Sequence, residues 1–243
     1  MITSPDNARV KEVLRLRKSR ERRASGLFIA EGRREVERAL AAGLTLTETF
    51  VAPELIADWP HPHTEVAPRV LAKMAYRAEP EGVIAIVEHP RHALPHDATL
   101  ILVAVGIEKP GNLGAMARTA DAAGADALIV ADAQADPWNP NAIRASTGAV
   151  FTLPVVESTR DEIATLEMQK VAAVVNATTK LGDADLTKPT ALIIGAEDAG
   201  LDAQWQDAAD LTVTIPMNNR TTDSLNASNA AAILLYETLR QRG

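Results

Sequence analysis

The 243-residue sequence contains no cysteine. That excludes disulfides, thiolate nucleophiles and the usual cysteine-based structural zinc sites together. Histidine is nearly as restricted, because all five (His61, His63, His89, His92 and His96) fall between positions 61 and 96. Any chemistry in the C-terminal half must do without Cys or His. The His61-Pro-His63 and His89, His92 pairs lie in proline-rich loops, with no carboxylate and no helical spacing to complete a ligand set, so no metal site is expected. No run approaches the ~20 apolar residues of a membrane span. The opening MITSPDNARVKEVLRLRK lacks the apolar core of a signal peptide. These absences point to a cytoplasmic protein with no membrane association.

What is present suffices for ordinary folding. An apolar fraction of 47% can build the cores of one large domain or two modest ones. Charge is unevenly spread: residues 1–40 hold 11 Lys or Arg against 6 Asp or Glu, a net of +5, leaving 14 basic and 26 acidic residues, a net of −12, for the rest. The overall −7 thus conceals a basic arm between Arg9 and Arg23, in which Arg9, Arg17, Arg20 and Arg22 are candidate contacts to nucleic-acid phosphates. The competing reading of such a cluster is a solvated helix face.

Hydrophobic periodicity divides the chain in two. A helix is predicted over 5–24, capped by Ser4 or Asp6 and ended by Gly26, followed by strands near 27–30, 44–51, 64–66 and 82–87 with helices over 31–42 and 68–76. This small α/β unit, 1–92, ends in EHPRHALPHDAT, a proline-rich linker. The second unit, 98–243, alternates apolar strands near 100–105, 127–131, 151–156, 171–175, 191–194 and 211–215 with helices over 113–123, 141–147, 161–169 and 225–240. That alternation is the pattern of a mostly parallel sheet covered on both faces. Ligands of such sheets bind beyond the carboxyl ends of the strands, which directs attention to the loops after 105, 194 and 215.

The first loop, GIEKPGNLGAMARTADAAG, has glycines for a tight turn, Asn112 within it and Arg118 on the helix that follows, but neither GxGxxG nor GxxxxGK[ST]. A dinucleotide fingerprint and a P-loop are therefore unsupported. The second, GAEDAGL, places Gly195 where a ligand could approach the backbone and Glu197 where a carboxylate needs a partner, a backbone amide or an arginine such as Arg118 or Arg144. In the third, Ser224 and Asn226 stand where loop becomes an Ala-rich helix, in position to cap it or to meet a ligand. With no histidine near Ser224 and no GxSxG elbow, a serine hydrolase is not expected.

GNLGAMARTADAAG (111–124), LIIGAEDAGL (192–201) and IPMNNRTTDSLNASNAAAILLYE (215–237) resemble, in order and spacing, the three motifs of the SpoU-type (TrmH-like) RNA ribose 2′-O-methyltransferases of the SPOUT superfamily. NPNAIRASTGAVFTLPV (139–155) is similar to the segment that lies between the first two, and 1–90 looks like the family's L30e-like substrate-binding domain. The resemblance implies a C-terminal trefoil knot, a homodimer through the knotted domain, and S-adenosyl-L-methionine held near Gly195, Ala196, Ile215, Met217 and Leu225. It implies that Arg118 acts at the ribose hydroxyl, Asn112 orients it or the ribose, Glu197 holds a basic group or the motif loop, and Ser224 and Asn226 shape the site. Arg144 would contact the rRNA or tRNA substrate. A guanidinium, with pKa above ~12, is a poor base, so Arg118 is read as fixing a phosphate and stabilising developing alkoxide. Departures are Lys109-Pro110-Gly111 for the commoner aspartate-proline, Asn218 or Asn219 for the glycine that often follows IPM, and Ala227 for valine. The alternative is a non-catalytic RNA-binding or ribosome-assembly protein that keeps the fold.

Overall fold

The basic N-terminal stretch forms two helices rather than the single one its pattern predicts. In the computed structural model, which describes residues 1–218 and 221–243, α1 (Ala8–Arg15) is capped by Asn7, whose side chain accepts from the Arg9 N–H, and it buries Val10 and Val13. It stops at Leu16, and Lys18, in extended conformation, opens α2 (Ser19–Ser25), which Gly26 ends at φ 67°. The break is held from inside. The Arg22 guanidinium reaches back to donate to the carbonyls of Leu16 at 2.7 Å and Arg17 at 2.9 Å, satisfying oxygens that the end of α1 leaves without helical partners.

The chain continues through β1 (Leu27–Glu31), α3 (Arg33–Ala41), β2 (Leu46–Val51), β3 (Thr64–Glu65), α4 (Pro68–Met74) and β4 (Val83–Glu88). These strands make one sheet in the order β1-β4-β2-β3, antiparallel except for β2 with β3. Val13, Ile29, Phe50, Leu71, Met74 and Ile84 are among the residues of its core.

Then follow β5 (Leu100–Val105), α5 (Pro110–Ala122), β6 (Ala127–Ala131), α6 (Pro140–Ser146), β7 (Val155–Glu157), α7 (Arg160–Ala164), β8 (Gln169–Ala173), β9 (Thr179–Lys180), β10 (Thr190–Ile194), α8 (Ala203–Asp207), β11 (Leu211–Thr214) and α9 (Ala227–Arg242). Seven strands form a second sheet, β7-β6-β5-β10-β8-β11-β9, in which every pairing is parallel. Every residue of β5, β6 and β10 is buried, as expected of central strands covered on both faces. Short elements absent from the sequence reading are β9 and α8, while the strand expected over 151–156 begins only at Val155, after a 3₁₀ turn at Ala149–Phe151.

Two compact units result, Met1–Arg91 with Trp138–Thr152, and His92–Pro137 with Leu153–Gly243. The sequence reading drew 98–243 as one unbroken unit; the structure places the segment carrying α6 with the first unit instead. Aromatic stacking explains the placement, since Trp138 and Phe151 stack on Phe28 at centroid distances of 5.1 and 5.7 Å. No helix of the described residues is long and apolar enough to cross a membrane.

Candidate functional site

The site is built in the second unit from three turns. After β5 the chain passes Gly106 at φ 62° and starts α5 at Pro110, where the missing N–H removes a donor that the first helical turn could not pair anyway. Asn112 therefore sits in the first turn of α5. After β10 comes Gly195, where a Cβ would lie 2.2 Å from the Gly200 carbonyl oxygen. The chain folds back on itself there, with the Gly200 N–H donating to the Ala196 carbonyl at 2.9 Å and Gly200 itself at φ 64°. Glycine at 195 is thus required by the protein's own backbone, and the residue also lines the neighbouring cleft. The folded turn presents Glu197, whose side chain is 20% exposed.

The third turn ends at Asn226, the N-cap of α9. Its Oδ1 accepts from the N–H groups of Ser228 (3.0 Å) and Asn229 (3.4 Å), which leaves Nδ2 to donate to Glu197 Oε1 and, at 3.3 Å, to Asn112 Oδ1. Asn112 Nδ2 donates to the same Glu197 oxygen at 2.6 Å, and Lys109 Nζ donates to the other at 3.0 Å. One carboxylate thus ties together the loops after β5, β10 and β11. The bond from Lys109 holds the Glu197 carboxyl below its ordinary range against the opposing effect of burial, with the Lys109 charge, Asn112 and the Ala227 backbone N–H adding to it. Lys109 is pushed upward chiefly by the same bond. At neutral pH Lys109 is a cation with no lone pair to take a proton, and Glu197, a carboxylate held below its ordinary range, is a weak base.

The cation beside Glu197 is therefore Lys109, where the sequence had suggested Arg118 or Arg144. Its signal was its place next to Pro110 in the same loop as Asn112. Ser224 lines the neighbouring cleft and makes no cap; Asn226 does. Arg118 stands apart: exposed on α5, roughly 9 Å of helical rise beyond Asn112, it has no side-chain hydrogen bond or ion pair among the described residues.

Beside the junction, at the carboxyl ends of β8, β10 and β11, lies an open, mainly apolar cleft of about 100 Å³. Gly195, Ala196, Ile215, Met217 and Leu225 all line it. Val174, Val175 and Val213 supply apolar wall, and Ala227 and Ala230 keep the start of α9 narrow enough to leave the space open. Small side chains, apolar surface and turning backbone suit a flat heterocycle and a ribose, the parts of an adenosine-bearing group.

The candidate RNA contacts fare unevenly, and all belong to the first unit. Arg22 is 1% exposed, so its place among the phosphate contacts is corrected: it pairs with carbonyls to close α1. Arg17 is engaged similarly, donating to the carbonyls of Lys73 at 3.0 Å and of Ala75. Arg9 pairs with Glu48 and Thr64 and lies over the Phe50 ring. Arg20 and Arg144 are exposed, the latter donating to Asn141 Oδ1 at 2.9 Å. Among the described residues no group of three His, Asp or Glu could hold a metal ion. Asn219 lies outside the described residues, as does Arg220.

A parallel α/β sheet with a small-residue cleft at its strand ends, edged by an amide-clamped carboxylate, defines an enzyme of the nucleotide-cofactor class. The family model described as SpoU rRNA methylase matches residues 99–236, and that of the MRM3-like substrate binding domain matches 7–85. The chain is 34% identical over 97% of its length to the 23S rRNA (uridine(2479)-2′-O)-methyltransferase of Streptomyces viridochromogenes, covering 91% of that protein. It is 32% identical to the 23S rRNA (guanosine(2553)-2′-O)-methyltransferase RlmP of Bacillus subtilis (strain 168), with 97% of each covered. The crystal structure of the SpoU methyltransferase AviRb from Streptomyces viridochromogenes in complex with the cofactor AdoMet superposes with a TM-score of 0.87 at 31% identity, over 97% of this chain and 98% of that one. The chain belongs to the SpoU rRNA methylase family, and is an S-adenosylmethionine-dependent RNA ribose 2′-O-methyltransferase.

Proposed function

We propose that the substrate is ribosomal RNA of the large subunit, modified in the cytoplasm by a homodimer of this chain. The observation that carries the site assignment is the junction of Asn112, Glu197 and Asn226 beside the cleft, which fixes three loops at once. Gly195, Ala196, Ile215, Met217 and Leu225 hold the adenosine part through backbone groups and apolar contact. When bound, S-adenosylmethionine supplies an electrophilic methyl group on a sulfonium.

The chain's own task is to deliver a ribose hydroxyl to near-attack distance and stabilise the charge it develops. Arg118 does this: its guanidinium has no partner among the described residues to leave before it meets a phosphate. Asn112 and Asn226, locked to Glu197, keep the loops from closing on the cleft, and Ser224 shapes its edge. Arg20, Arg9 and Arg144 contact the RNA.

Two further features support this reading. After β11 the chain returns as α9 to pack on α5 and β10, and Arg242 donates to the carbonyls of Leu186, Lys188 and Thr99. That return path agrees with a knotted C-terminal segment. The outward side of α9 carries Ile233, Tyr236 and Leu239, all exposed, as an apolar stripe for the second subunit.

The test is methyl transfer from labelled S-adenosylmethionine to ribosomal and transfer RNA lacking the modification, followed by nucleoside analysis and mapping. A 2′-O-methylated nucleoside in large-subunit RNA is expected. Label in transfer RNA alone would overturn the substrate assignment, and no incorporation into either competent RNA would favour a binding protein that keeps the fold.

A further inference from the structure

Of the Phe, Trp and Tyr residues in the first unit, only Tyr76 is exposed, at 40%. Its position is tightly fixed. The backbone N–H of Tyr76 donates to Glu31 Oε2 at 2.8 Å, and that of Arg77 donates to Oε1 at 3.2 Å. Glu35, 1% exposed, accepts from Arg34 at 2.7 and 3.1 Å and from Arg77 at 3.3 Å. The buried carboxylates are thus all engaged, and Glu81 and Glu37 at the surface pair with Arg77 and Arg33. Over the engaged Glu31 and Glu35 lies a crevice of about 10 Å³, room for one water, lined also by Tyr76, Arg77, Asn141 and Arg144. It is smaller than the sites that enclose whole ligands, so a guest ring would lie across its mouth.

Two guanidinium groups share the crevice with the ring: Arg77, which pairs with Glu35 and Glu81, and Arg144. Arg34 and Arg38, one helical turn apart on α3, are also exposed, and Arg38 donates to the Thr147 carbonyl just beyond α6, which carries Arg144. An exposed phenol ring among guanidinium groups is the combination that binds an unpaired nucleotide, the ring by stacking and the cations by phosphate contact. Paired RNA offers no free base face. We propose that an unpaired nucleotide of the substrate RNA lies across the mouth of this crevice, its base stacked on Tyr76, its phosphate at Arg144 and its edge at the Asn141 amide. The inference rests on the RNA-modifying reading and adds to it that the recognised segment is single-stranded.

The test uses the full chain, a short fluorescein-labelled oligouridylate and a fully paired RNA duplex, with affinity read by anisotropy. Stacking is worth ~1–3 kcal/mol per base, so Tyr76→Ala should weaken oligouridylate binding roughly 5- to 100-fold. Tyr76→Phe should bind as the wild type does, duplex affinity should be the same in all three, and Arg144→Ala should reduce the single-strand salt slope by about 0.7. Equal oligouridylate affinity of wild type and Tyr76→Ala would overturn the proposal, as would an equal loss with Tyr76→Phe or no binding by the wild type. S-adenosylmethionine affinity and methyl incorporation, measured on the same wild-type preparation, separate the two readings: their failure sinks the enzyme assignment, whereas a flat Tyr76 series sinks only the stacking site.

Discussion

In the first unit Arg22, Glu31 and Glu35 are almost completely buried, whereas β5, β6 and β10 of the second contain no charged residue and the functional charges, Lys109 and Glu197, stand beyond strand ends. The first unit uses guanidinium groups as internal struts, closing helix ends and anchoring loops. The second builds its central strands from apolar residues alone, with Arg242 bracing carbonyls at the end of α9 and Lys109 and Glu197 paired at the site. A basic cluster in sequence is therefore a different object in each setting. Between Arg9 and Arg23 it is partly scaffold, and a count of positive residues there overstates what can reach a phosphate.

The largest expected effect concerns Arg118, whose side chain has no hydrogen bond or ion pair among the described residues. Arg118→Ala should lower the single-turnover rate of methyl transfer by about two to three orders of magnitude while leaving S-adenosylmethionine affinity unchanged. Similar turnover by the variant would remove Arg118 from the reaction. Next, the strut reading predicts that Arg22→Ala destabilises by roughly 2–3 kcal/mol, because two carbonyls lose a charged donor. Arg20→Ala, at an exposed position, should stay within about 0.5 kcal/mol. Urea midpoints that moved equally would erase the distinction between struts and surface.

A smaller effect joins site to fold. Asn226→Ala should cost about 1 kcal/mol as a lost N-cap and should also weaken cofactor binding, because Glu197 loses an amide; calorimetry on a variant with cofactor affinity intact would show that the junction does not hold the cleft. The smallest is a pH effect. Glu197 is held below its unfolded value of 4.5, so its contribution is complete above that pH and declines as pH falls through the lower folded value. Cofactor affinity should accordingly be flat from neutrality down to the ordinary carboxylate range and fall below it, and Glu197→Gln should flatten that acid limb. An acid limb of the same size in the variant would place the titration elsewhere.

The strands of the second sheet were legible because continuous apolar runs of five or six residues leave few alternatives, as in β5, β6 and β10. The loops after β5, β10 and β11 followed from the rule that ligands of parallel sheets gather at strand ends. What escaped depended on contacts between distant residues. Nothing local shows that Arg22 turns back to the end of α1, that Lys109 finds a carboxylate 88 positions later, or that Trp138 and Phe151 draw α6 onto Phe28. Gly195 illustrates a subtler limit: its necessity was readable, but whether backbone or ligand fills the space beside it was not.

The return of α9 onto β10 and α5 has a consequence in time. On the ribosome residues 227–242 emerge after every strand they cover, so the middle of the parallel sheet waits for its lid while its edges can already assemble. Until Arg242 reaches the carbonyls of Leu186 and Lys188, the apolar surfaces of β10 and α5 are open to wrong partners. The cofactor cleft, which α9 lines through Ala227 and Ala230, is thus completed only once this last segment has closed over strands made before it.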